Sequence, residues 1–463
     1  MIGVIGIIIS LFLLMYLAYR GWSVILIAPV LACLAASFAI FDGGSFHMLA
    51  TYTEKFMPAL AGYIKAYFPM FLLGAVFGKV MDVSGSANAI AEFITTKIGK
   101  GKEIWAVVLS CAVITYGGVS LFVAAFAIYP IGAALFREAD IPKRILPPAI
   151  ALGAFTFTMT AIPGTPQIQN AIPMTFFGTD AFAAPILGIV AALIMLFGGM
   201  FWLTHVEKKA KAAGEGYGDH KNENLQIMDP QYLPSFVTSI TPIIVVIVAN
   251  FAFSKWILPS FDSSYLETDY DTSFKAVSGT WSLILALILG VALVILFNYK
   301  RFDKGVVECL KDGVQGSFLA VMNTASEVGY GNVIKTLAGF SLVAAGMLSI
   351  SDNPLIGEAI SSSVLAGITG SASGGLSIAL ATFSEQFIAR ASELGISPEV
   401  LHRVASVACG GLDTLPHNGA VITLLNVTGM THKECYGNIG MCTVVIPAIS
   451  CVAIIILGSM GIV

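Results

Sequence analysis

The 463-residue sequence is 57% hydrophobic and 11% charged, with a net charge of −4 at neutral pH. Soluble domains carry about a quarter charged residues, so the composition excludes a soluble enzyme and, with no basic run, a nucleic-acid binder. Seven cysteines (Cys33, Cys111, Cys309, Cys409, Cys435, Cys442 and Cys451) are scattered without a CxxC pair; they read as small apolar fillers, with no disulfide framework, no metal site and no cofactor expected.

Apolar runs at 2–18, 23–41, 182–203, 236–253, 281–297 and 440–463 approach or exceed the roughly 20 residues needed to cross a bilayer. The first lacks a basic start and a small-residue cleavage site, so it reads as a retained span rather than a signal peptide. Arg20 follows it and is placed in the cytoplasm, Asp42 and His47 outside, and the lysines at 79, 97, 100 and 102 inside, because positive charge stays cytoplasmic. Arg137, Lys143 and Arg144 are also inside. The apolar stretch of about 103–137 therefore starts and ends on one side, broken at Tyr116-Gly117-Gly118: a re-entrant hairpin. A broken helix at about 147–175 follows. Residues 207–233, with Lys208, Lys209, Lys211 and Lys221, read as a flexible cytoplasmic linker.

The second half repeats this plan. The acidic loop 255–275 (Asp262, Glu267, Asp269, Asp271) suits the outside, and Lys300, Arg301, Lys304 and Lys311 the inside. A second hairpin at about 358–390 then enters from outside, followed by a broken helix at about 400–428. Both termini fall outside and the linker inside, so each half has an odd number of crossings and the two are inverted. The expected fold is an all-α polytopic membrane protein of two inverted-topology repeats, 1–206 and 234–463. Each has one re-entrant hairpin and one broken transmembrane helix, within roughly 10–12 full spans in all.

The motifs repeat as well. Gly117-Gly118-Val119-Ser120 returns as Gly374-Gly375-Leu376-Ser377, and Pro163 follows Gly117 by 46 residues as Pro416 follows Gly374 by 42. Paired glycine and proline breaks in apolar segments point to a transporter site built from discontinuous helices. A broken helix exposes backbone N–H groups with a positive dipole end, suited to an anion, and carbonyls suited to a cation. Candidate substrate ligands in the first half are Thr115, Gly117, Gly118, Ser120, Thr160, Gly164, Thr165, Gln167 and Asn170. In the second half they are Ser371, Ser373, Gly374, Gly375, Ser377, Thr414, His417 and Asn418. These stretches contain no lysine or arginine, so a hydroxylated monocarboxylate fits better than a di- or trianion.

Ionisable residues at membrane depth are costly and point to function. Glu327, Asp413 and His417 are the candidates to carry the coupling charge, with Asn323 and Thr324 beside Glu327. Glu385 and Arg390 read as an interfacial ion pair, and His402 and His432 as interfacial or solvated. HExxH, GxSxG and Walker A patterns are absent, which argues against an intramembrane enzyme and against ATP as driver. Channels generally repeat by oligomerisation rather than by inverted internal repeats.

The runs 114–123, 136–144, 163–170 and 411–420 resemble the gluconate permease (GntP) family, within the wider ion transporter superfamily, and the similarity extends over nearly the whole chain. The resemblance implies cation-coupled import of a small hydroxy acid, gluconate-like or 3-hydroxybutyrate, by proton symport in a bacterial inner membrane. It also implies a scaffold domain, hairpin tips meeting broken helices at the substrate, and a homodimer. Asn323-Thr324 is similar to the sodium-binding tips of the superfamily, so sodium coupling stands as the alternative.

Overall fold

A computed structural model describes residues 2–20, 22–42, 45–98, 101–220, 230–340, 342, 346, 351–416 and 418–463. All their regular structure is helical. The first half comprises α1 (Ile2–Tyr19), α2 (Val24–Ser37), α3 (Met48–Val83), α4 (Ser86–Ile98), α5 (Glu103–Tyr116), α6 (Leu121–Glu138), α7 (Leu146–Ala154), α8 (Ile168–Phe177) and α9 (Pro185–Ala212). The second comprises α10 (Phe236–Ala252), α11 (Phe274–Asn298), α12 (Val306–Lys335), α13 (Pro354–Thr369), α14 (Ala372–Glu393), α15 (Pro398–Cys409), α16 (Gly419–Thr428) and α17 (His432–Ser459).

Seven helices among the described residues are long and apolar enough to cross a membrane by themselves. The expected larger number of crossings depends in addition on α1, on the polar-spotted α12 and on the two broken helices. Apolar side chains point outward: Phe201 on α9, Leu296 on α11 and Val452 on α17 are 76%, 71% and 58% exposed. Polar groups instead collect inside, the inverse of a soluble protein and the arrangement hydrocarbon demands. This is a multi-pass membrane protein.

Hairpin α5–α6 turns at its expected glycine break, whereas α13–α14 turns at Gly370, so that Gly374 and Gly375, expected at the tip, fall in the first turn of α14. Gly118 (φ +95°) and Gly370 (φ +64°) take the left-handed backbone that ends the first arm of each, open to glycine without a Cβ penalty. Ser120 and Ser371 then cap the second arms, accepting from the N–H of Phe122 at 3.3 Å and of Gly374 at 3.1 Å. Each hairpin leads into a broken helix: α7, one turn at Phe157–Thr160 and α8 in the first half; α15, one turn at Leu412–Thr414 and α16 in the second.

Packing between the halves is reciprocal. Helix α2 packs on α12 while α11 packs on α3; α6 packs on α16 while α14 packs on α8; α9 lies against α17. Each element thus contacts the counterpart of its partner's neighbour, the pattern two repeats make around a pseudo-twofold axis.

The linker is less free than its composition suggests. Helix α9 runs through Ala212, and the following residues fold back on the loop between hairpin 1 and α7. Arg144 grips Glu215 through both Nε and Nη2, at 2.6 and 2.7 Å, and Asp140 accepts from the Tyr217 N–H at 2.8 Å. The Arg137 guanidinium sits 5.4 Å from the centre of the Tyr217 ring. Residues 221–229 of the expected linker lie outside the described residues.

Hydrogen bonding to Arg144 holds the Glu215 carboxyl below the ordinary carboxylate value. A depressed value adds stability that is present above the unfolded value and lost as pH falls through the folded one. The protection factors of residues 213–220, exchange measured relative to the intrinsic rate at each pH, should therefore stay constant from pH 8 to pH 5 and fall on acidification below about pH 4. Glu215→Gln should show the lower protection above about pH 5, and the difference should close as the pH falls below about 4.

Candidate functional site

The two broken helices cross at Thr160 and Gly410: a Cβ added at Gly410 would lie 2.6 Å from Thr160 Cγ2. Ser406 Oγ donates to the Thr160 carbonyl at 2.8 Å, tying α15 to the first break. Around this crossing each break is joined to the hairpin of its own half by the N-cap residue of its second segment. Gln167, which precedes α8, donates from Nε2 to the carbonyls of Thr115 (2.7 Å) and Val119 (3.2 Å) at the first tip. Asn418, which precedes α16, donates from Nδ2 to the Gly370 carbonyl (2.8 Å) at the second tip, while its Oδ1 accepts from the Val421 N–H at 2.9 Å. Tyr116 adds a bond from its hydroxyl to the Pro163 carbonyl, 2.8 Å.

The candidate residues divide into three groups. Several hold the framework. Gly375 lets the arms of hairpin 2 touch, since an added Cβ would lie 2.1 Å from the Ala366 nitrogen. Gly117 faces Ile243, Gly118 faces Pro166 and Gly164 faces Phe182. Thr414 donates to the Gly411 carbonyl (3.0 Å) and to Thr443 Oγ1 (2.7 Å). Asn170 is fully buried and donates to the carbonyls of Thr165 and Ala181, which fixes its amide orientation.

A second group keeps unused polar atoms. Thr115 Oγ1 and Thr165 Oγ1 are buried without partners at the first tip and break, as is Oε1 of Gln169, the second residue of α8. The third group surrounds Glu327. Its carboxylate, 4% exposed, lies over the first turn of α14, so close that a Cβ at Gly374 would fall 1.6 Å from Oε2. Thr324 Oγ1 is 3.4 Å from Ser373 Oγ, and Ser377 Oγ donates to the Ser373 carbonyl at 2.7 Å. The Tyr63 phenol of α3 lies beside Ser377, Glu327 and Thr324 without completing a hydrogen bond. Glu327 Oε2 and Asn323 Oδ1 are also unpartnered. Asp413 is buried in the second break with Oδ1 free. His417 lies outside the described residues.

Two residues that sequence reading set aside lie at the centre. His402, expected at an interface, is fully buried: Nε2 donates to Asn170 Oδ1 (3.1 Å) and Nδ1 meets Thr179 Oγ1 (2.6 Å). Arg403 is also fully buried and, among the described residues, its hydrogen bonds go to carbonyl and amide oxygens rather than to a carboxylate. It donates to Ala183 O from Nε (3.1 Å) and Nη2 (2.7 Å), and from Nη1 to Thr160 O (3.2 Å) and Asn170 Oδ1 (3.0 Å). The signal was present, because both residues fall inside the expected broken helix 400–428, where an ionisable group is itself informative. Arg390, expected to pair with Glu385, bonds instead to Asp352 (2.9 Å) and Glu393 (3.5 Å). Five residues apart on one helix, Glu385 and Arg390 do not share a face.

A model of GntP family permeases matches residues 2–460. The chain belongs to the GntP permease family. An uncharacterized transporter of Bacillus subtilis, YxjC, is 46% identical over 95% of both chains. The gluconate permease of the same organism is 28% identical over 53% of each chain. Among solved structures, the YdaH transporter of Alcanivorax borkumensis superposes with a TM-score of 0.55 at 17% identity, covering 87% of this chain and 86% of its own. MtrF of Neisseria gonorrhoeae does so with 0.55 at 13%, covering 95% and 94%. The fold is thus shared with transporters, and the GntP family protein described here is a permease rather than an enzyme.

Two substitutions test the framework. Gly375→Ala should part the hairpin arms and cost about 1–3 kcal/mol, read as a lower melting temperature in detergent, whereas Gly62→Ala, with open space around it, should not. Arg403→Lys, which cannot reproduce the planar fork, should leave buried carbonyls unpaired and cost about 1–3 kcal/mol by the same measurement.

Proposed function

We propose that this permease imports a small hydroxymonocarboxylate, a gluconate-like sugar acid or 3-hydroxybutyrate, by proton symport with alternating access. The observation that carries the reading is Glu327: a buried carboxylate set against the first turn of α14, with one oxygen free, at the point where the second hairpin tip meets α12. Neutralising that charge changes the electrostatics of the tip directly, which is what coupling requires. The free hydroxyls of Thr115 and Thr165 and the amide of Gln169 supply neutral partners for a hydroxylated substrate. Asp413 is the second candidate for the coupling charge. The similarity to a gluconate permease supports the substrate class.

A second reading has its own support. Asn323 Oδ1, Thr324, Ser373, Ser377 and Tyr63 gather oxygen atoms around Glu327, a donor set that suits sodium as well as a proton. In either case we place the linker in the cytoplasm and both termini outside, in a bacterial inner membrane, with one bundle that carries both hairpins moving against a scaffold domain in a homodimer.

Reconstituted protein should accumulate labelled gluconate or 3-hydroxybutyrate under an inward proton gradient, and a protonophore should abolish the accumulation. Uptake that follows a sodium gradient alone would support the second reading, and flux that only equilibrates would indicate a channel. Glu327→Gln should reduce accumulation by at least about tenfold while leaving substrate exchange measurable. Accumulation at the unsubstituted level would remove Glu327 from the coupling role.

A further inference from the structure

Away from both tips, one buried carboxylate among the described residues has no partner on either oxygen. Glu358 lies on α13, near the base of hairpin 2, and is fully buried with Oε1 and Oε2 both unbonded. Ser362, one turn nearer the tip, is also fully buried with a free Oγ. Residues four apart share a helix face, so the orphaned groups point into one sector. On its α17 side, Cys451 feels the charge of Glu358. Cys409 of α15 lies within electrostatic range of both Cys451 and Asp413.

At the opposite end, a cavity of about 360 Å³ opens at the base of hairpin 2, lined by Asp352, Pro354, Gly357, Phe387, Arg390 and Glu393. Gly357 and Phe387, 3.4 Å apart at the position of an added Cβ, line it next to Glu358. The charged groups here lie on the cavity lining: Arg390 and Glu393 on α14, and Asp352 before α13. Helix α17 contributes Cys451, α15 contributes Cys409 with His402 and Arg403 engaged at the first break, the turn Leu412–Thr414 contributes Asp413, and α1 has no acidic or basic residue.

An ionised carboxylate without a hydrogen-bond or ion-pair partner is costly to bury. Hard metal cations gather about six or more oxygen ligands, and the free donors here are the carboxylate and one hydroxyl. A proton needs a single oxygen. We propose that Glu358 is a second proton-binding site of the transport cycle, loaded from the cavity at the base of hairpin 2. Its carboxylate takes one proton from water on that side, losing its negative charge, and returns the proton to water after the conformational change. The inference rests on the proton-symport reading and adds a second titrating position, remote from the Glu327 tip.

The test uses the full chain in liposomes with an entrapped pH dye and labelled gluconate or 3-hydroxybutyrate. Unsubstituted protein is expected to move protons with substrate. Glu358→Gln is expected to move at least about tenfold fewer protons per substrate while exchange of labelled substrate persists. A proton-to-substrate ratio equal to that of the unsubstituted protein overturns the site. Substrate moved with sodium and without protons by the unsubstituted protein overturns the symport reading instead. A second measurement needs no variant: dicyclohexylcarbodiimide attacks protonated buried carboxyls, and peptide mass spectrometry should find Glu358 modified about tenfold more at pH 6 than at pH 9. Modification that is absent, or equal at both pH values, overturns the site whatever the coupling ion.

Discussion

The structure depends on one constraint: in hydrocarbon every backbone polar group needs a partner inside the protein. Two helices broken at membrane depth leave N–H and carbonyl groups that water cannot satisfy. The chain meets this with side chains at the break itself. Gln167 and Asn418 begin the second segment of each broken helix, and each reaches the carbonyls of the adjacent hairpin tip. The hairpin tip and the helix break thus solve each other's problem, and neither would be stable at that depth alone. Because the two breaks cross at Thr160 and Gly410, both sets of stitches converge on one place.

The halves are alike in outline and different in chemistry. At the first break a guanidinium and an amide satisfy the carbonyls, with an imidazole bonded to that amide, and the unused atoms are neutral: Thr115 Oγ1, Thr165 Oγ1 and Gln169 Oε1. In the second half the unused atoms include three carboxylates, Glu327, Glu358 and Asp413. Neutral donors and acceptors suit a hydroxylated solute, whereas buried groups able to gain and lose charge suit coupling. The division follows from which residue types occupy equivalent positions on one backbone plan.

Much of this was legible before any coordinates. The glycine breaks marked two helix-to-helix turns, which the structure puts within a few residues of them. Hairpin ends at about 103–137 and 358–390 compare with Glu103–Glu138 and Pro354–Glu393. What escaped was long-range pairing. Nothing local to Arg403 says that its fork will meet the Ala183 carbonyl, 220 residues away in sequence. Glu358 escaped for a related reason: it was taken as the boundary of the hairpin, and only packing against α15 and α17 makes that boundary fully buried. The linker's composition suggested freedom, but Arg144, Asp140 and Arg137 from another segment hold its first residues.

Arg403 also refines the argument about substrate charge. The absence of lysine and arginine from the tips suggested a monoanion, yet a fixed cation lies at the crossing. An arginine has five N–H donors in a rigid fork. Four contacts engage them: two to Ala183 O, one to Thr160 O and one to Asn170 Oδ1. A single N–H is left, so Arg403 cannot give a substrate carboxylate the bidentate grip that such a residue usually provides. Its contribution is a positive field on the break, attenuated by the carbonyls around it. On the proposed reading, direct contacts to the carboxylate come from backbone N–H groups and hydroxyls, with one buried positive charge nearby. That balance favours one negative charge on the substrate, because a second carboxylate would find neither a second cation nor a free fork.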